Sequence, residues 1–94
     1  MSLSQEFAET VALKALTWLL AEEDLLPVFL GATGSSEADF RVRVQDSEFL
    51  GSILDFLMMD DAWVVRFCDA ESLSYDKPMM ARAALPGGAQ INWT

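Results

Sequence analysis

The chain has 94 residues, 52% of them hydrophobic, with 15 acidic side chains against 6 basic, no histidine and one cysteine. That length suits one domain, and the net charge of −9 opposes phosphate backbones and anionic membrane surfaces. A lone cysteine excludes an intramolecular disulfide, and the polar opening MSLSQEFAET lacks the basic-then-apolar order of a secretory signal. Together these predict a cytoplasmic protein.

The first predicted helix runs from about Ser4 to Glu22. Its polar residues Glu6, Thr10, Lys14 and Thr17 recur every three or four positions as one narrow stripe, while Phe7, Val11, Leu13, Leu16, Trp18, Leu19 and Leu20 fill the other sides. A helix this apolar is expected at the centre, covered on most sides. Ser2 and Gln5 have the spacing of a capping box. A second, short helix is predicted to start at Asp24 as N-cap, with Pro27 in its first turn and Gly34 as its left-handed stop. Ser36 with Asp39 opens a third, running to about Gln45. The alternation of FRVRV, Phe40 to Val44, would also suit a strand. A single strand without a partner is poorly stable, so helix is predicted there.

Asp46 or Ser47 caps a fourth helix, whose polar stripe is Glu48, Ser52 and Asp55. Asp60 or Asp61 caps a fifth, with Trp63, Val64, Phe67 and Cys68 on its apolar face. A sixth starts near Asp76, takes Pro78 in its first turn and stops before Pro86-Gly87-Gly88. The tail, residues 87–94, is predicted to be irregular.

The most apolar stretch is SILDFLMMDDAWVVRFC, Ser52 to Cys68, and it carries Asp55, Asp60, Asp61 and Arg66. A membrane helix needs roughly 20 apolar residues with few charges, so this segment is predicted to be core. It also resembles the chain 38 residues earlier: Leu54 falls on Leu16, Phe56 on Trp18, Leu57 on Leu19, Met58 on Leu20, Asp60-Asp61 on Glu22-Glu23, Trp63-Val64 on Leu25-Leu26, and Phe67 on Phe29. One extra residue then aligns Met79 with Phe40 and Arg82 with Arg43. The expected fold is all-α: a compact bundle of about six short helices in a single domain, 1–94, built as two pseudo-repeated helix triplets at about 7–45 and 46–86. Trp18, Leu19, Phe29, Phe56, Leu57 and Phe67 are predicted to share one core.

Candidate chemistry is sparse. Glu22-Glu23 and Asp60-Asp61 could hold a cation or serve acid–base work, but acids at such turns more often end one helix and cap the next. Whether they bind a cation stays open. The lack of histidine removes the commonest general base. Cys68, beside Val64 and Phe67, is expected to be inert packing, and LPGG is a helix stop, since no strand precedes it. No catalytic, cofactor-binding or metal residue is therefore assigned, no cofactor is implied, and enzymatic activity is not expected. Leu25 to Val44 has the outline of a helix-turn-helix carrying Arg41 and Arg43, yet Glu37 and Asp39 open its second helix and the net charge argues against nucleic acid. Met59 continues the polar stripe of the fourth helix, Val65 lies opposite the apolar face of the fifth, and Trp93 stands in the tail. These three form the candidate interaction surface, either for an unknown protein partner or for a weak homodimer.

The segments ALTWLLAEEDLLPVFLGATG, DSEFLGSILDFLMMDDAWVVRFC and ARAALPGG resemble an alphaproteobacterial family, domain of unknown function 3572, over roughly Glu6 to Gly88. That family usually has glycine where Ser72 stands and an acid near Lys77. The resemblance implies a cytoplasmic bacterial protein and supplies no activity, cofactor or site residue. Two function classes follow: a small interaction module or weak homo-oligomer, and, as the alternative, a nucleic-acid-related regulator using the helix-turn-helix outline or acting as an acidic mimic.

Overall fold

The computed structural model describes residues 4–34 and 36–85. They form α1 (Gln5–Ala21), α2 (Leu26–Thr33), a 3-10 turn (Glu37–Asp39), α3 (Phe40–Arg43), α4 (Ser47–Leu57), α5 (Asp61–Glu71) and α6 (Lys77–Ala84), with no strand among them. The all-α expectation holds, and Phe40–Arg43 is helical with Val44 as its C-cap, two residues short of the expected end at Gln45.

Local chemistry sets the boundaries, in three places differently from the sequence reading. Ser4, not Ser2, caps α1: its Oγ accepts from the Phe7 amide at 3.1 Å. Ser2 lies outside the described residues, and Gln5 donates to Glu9 instead. Asp24 does not cap α2, because Leu25 holds the N-cap position without a side-chain bond. The Glu22 carbonyl closes that turn by accepting from the Leu25 and Leu26 amides, each at 3.0 Å. The third helix opens as 3-10 because the Asp39 carboxylate accepts from both the backbone amide and the hydroxyl of Ser36, at 3.1 and 3.2 Å. Only from Phe40 is the winding α.

The long helices α1 and α4 lie against each other, and α6 packs on both. The fully buried Ala8, Ala12 and Ala15 keep the inner side of α1 thin, so neighbouring helices can approach closely. Trp18 meets Phe67 edge-on at 5.8 Å, Phe29 meets Phe56 edge-on at 5.1 Å, and Trp63 stacks on Phe56 at 4.9 Å. All six residues predicted to share the core are buried, and burying each apolar side chain stabilises the fold by about 1.5–3 kcal/mol. Phe7, Leu13 and Leu20, counted above with the apolar sides, are instead about 40% exposed. They flank the stripe of Thr10, Lys14 and Thr17, and Leu13 shares an open groove with Glu71 of α5.

Several residues 38 positions apart have similar burial or backbone hydrogen bonds. Leu16 and Leu54, Leu19 and Leu57, and Phe29 and Phe67 are all buried. The Asp60 carbonyl accepts from the amides of Trp63 and Val64 as the Glu22 carbonyl does from those of Leu25 and Leu26. The helix ends correspond too: Gly34 (φ 69) and Ser72 (φ 58) are both left-handed and donate their amides to Leu30 and Cys68. A left-handed position favours glycine, so Ser72 carries a side chain in a conformation that Gly34 adopts without a Cβ. The helices α3 and α6 differ. Phe40 is 5% exposed and Met79 60%, because α6 turns Pro78 and Ala81 inward and so points Met79 out.

Candidate interaction surface

Met59 follows the end of α4 and is 72% exposed, although a thioether gains nothing from water. It stands at a groove of about 340 Å³ lined by Ala32 and Thr33 from the end of α2, Arg43 from α3, and Asp55 and Phe56 from α4. The Thr33 hydroxyl donates to the Phe29 carbonyl at 2.9 Å and that of Ser52 to the Phe49 carbonyl at 2.6 Å. Both therefore serve their own helices. Arg43 lies over the Phe49 ring at 4.5 Å, a favourable cation–π placement. Asp55 accepts from Arg82 Nε at 2.8 Å. The Arg82 guanidinium reaches it by crossing Gly51, where an added Cβ would come within 2.6 Å of Nη1. With its polar groups so engaged, the groove offers chiefly apolar surface.

Met59 borders this groove, Val65 is 38% exposed on α5 but does not line it, and Trp93 lies outside the described residues. A second groove, of about 260 Å³ between α5 and α6, was missed. Its signal was present in Tyr75 and Met79, which have no partner in any predicted core.

The acidic turns have separate partners. Arg66 of α5 pairs with Glu22 and with Asp24, and its hydrogen bonds hold the Asp24 carboxyl below the usual range. Asp60 caps α5, accepting from the Ala62 amide at 2.8 Å. Among the described residues no group of three acidic, cysteine or histidine side chains is placed to hold a metal ion. Cys68 is buried, its thiol 3.4 Å from the Ser74 carbonyl. Burial, with Asp69 and Asp76 nearby, pushes its pKa up. The helix-turn-helix outline ends in an α3 of four residues.

Residues 5–88 match the model of a family described as "Protein of unknown function (DUF3572)". The chain belongs to that family. No curated protein and no solved structure gave a match. The span matched to DUF3572 takes in α1 to α6, so both grooves lie within it. No helix among the described residues is long and apolar enough to cross a membrane.

Proposed function

We propose that this domain is a non-catalytic protein-interaction module of the cytoplasm, presenting the groove between α2, α3 and α4 to a protein partner. The observation that carries the reading is Met59, 72% exposed at the mouth of an apolar groove. Apolar anchors entering such pockets dominate interface energetics. A chain without histidine, whose one cysteine is buried, supports a binding role over a chemical one. The net charge of −9 weighs against the nucleic-acid alternative and against a second copy of the chain.

The test compares the native chain with Met59→Lys, each used as bait in the native cell. A partner held by the first and lost by the second, with unchanged melting temperatures, supports the reading. Equal retention overturns it. Light scattering from low to moderate salt separates a weak homodimer from a different partner, and capture abolished by nuclease would favour the nucleic-acid alternative.

A further inference from the structure

The groove between α5 and α6 has a different character from the one at Met59. Met58, Val64, Pro78 and Met79 supply its apolar surface, and Asp61 and Tyr75 complete it. Met79 is 60% exposed and Tyr75 55%, so two large side chains that could be covered are left in water. The Tyr75 hydroxyl donates to Asp69 at 2.7 Å, which fixes the ring at the groove's edge. The charged residues on and around it are mostly acidic. Asp61 lines it, Asp60 caps α5 beside it, Asp76 stands at the start of α6, and Asp69 holds Tyr75. Lys77 is the one cation among α5, α6 and their connection that makes neither of the inter-helix pairs of Arg66 and Arg82.

We propose that the α5–α6 groove receives the apolar face of a basic amphipathic helix from a partner protein. Methionines adapt their shape to varied apolar side chains, and helices dock into such grooves through anchors at i, i+3, i+4 and i+7. An open depression of about 260 Å³ suits one or two side-chain anchors. The rim of carboxylates selects lysine and arginine flanks. A second copy of this chain would bring carboxylates against carboxylates, and a nucleic acid would bring phosphates. The inference rests on the reading of the domain as an interaction module but uses another face, so the two can fail separately.

The probe is a synthetic two-heptad peptide of leucine and lysine with its leucines on one helical face. The control has the same composition in strictly alternating order. Titration of the full chain, followed by amide chemical shifts, is expected to show the helical peptide binding with shifts centred on Val64, Tyr75 and Met79. Met79→Lys should weaken it about tenfold or more, and Asp61→Asn should weaken it less, the difference shrinking as salt shortens the screening length. Met59→Lys should change nothing. Both methionines are exposed, so circular dichroism should show either variant folded. Absence of binding, equal binding of the alternating peptide, or full affinity in Met79→Lys would overturn the proposal. Peptide binding that survives while Met59→Lys and the native chain retain the same cellular partner would instead sink the Met59 groove alone.

Discussion

The turn at Glu22-Glu23-Asp24 and the turn at Asp60-Asp61 share a backbone. In each, an extended acidic residue accepts through its carbonyl from the amides three and four positions on. Their side chains part company. Asp60 is short enough for its carboxylate to reach the Ala62 amide, whereas Glu22, one methylene longer, swings out to Arg66. Position 28, which is 38 residues before Arg66, is Val28, 48% exposed, so no cation stands at the matching place to clamp the second turn. Arg66 also lies 5.6 Å over Trp18, tying α5 back onto α1. Similar backbones thus carry a cap at one turn and an inter-helix clamp at the other. The choice depends on side-chain length and on one residue far away in the chain.

The comparison is sharpened most by the buried rings. Phe29 and Phe67 occupy matching positions and are each 0% exposed. Truncation of either to alanine is expected to cost about 3–5 kcal/mol, read as a fall in the urea midpoint, and an unchanged midpoint in Phe67→Ala would contradict its place in the core. The two turns should respond unequally. Asp60→Ala should lose about 1 kcal/mol, the usual worth of an N-cap, and Glu22→Ala should lose less. Equal losses would show that the cap and the clamp are energetically interchangeable.

A smaller effect is expected at the left-handed helix ends. Ser72→Gly relieves a side chain held at φ 58 and should raise the melting temperature, by up to about 1 kcal/mol of stability after the added freedom of the unfolded chain is offset. Gly34→Ser, at φ 69, should lower it by a similar amount. A rise in both variants would break the correspondence. The smallest effect is electrostatic. The Asp24 carboxyl is depressed below 3.8 by Arg66, so the clamp stabilises the fold above that pH and the contribution is lost as pH falls through the depressed value. An exposed pair contributes little. The stability gap between the native chain and Arg66→Met should therefore be small at neutral pH, narrow in high salt, and close as pH falls through the depressed Asp24 value. A gap that persists in acid would assign the role of Arg66 to its packing on Trp18.

Much of this was legible because it is local or periodic. The spacing of Val11, Leu16, Trp18 and Leu19 marks the buried side of α1, and Asp46 and Asp60 announce their helices because a cap acts on amides two residues away. Asp24 misled because a good capping residue was drawn to a cation 42 positions on. Leu13 and Leu20 misled because hydrophobicity does not say which neighbours exist to cover it. The Met59 stripe was readable from the helical period. The α5–α6 groove was not, because it needs Met58, Val64, Tyr75 and Met79 to converge from a helix end, two further helices and a loop.

By itself, then, the sequence determined an all-helical chain, the positions of its helices and the identity of its central core. Apolar periodicity, proline and glycine placement and short-range capping act within a few residues and carry over into any compact arrangement. Only the tertiary structure decided which acid caps and which is clamped, why Arg82 can cross Gly51 to Asp55, and where apolar surface is left open. Those outcomes depend on through-space neighbours whose separation along the chain has no fixed period.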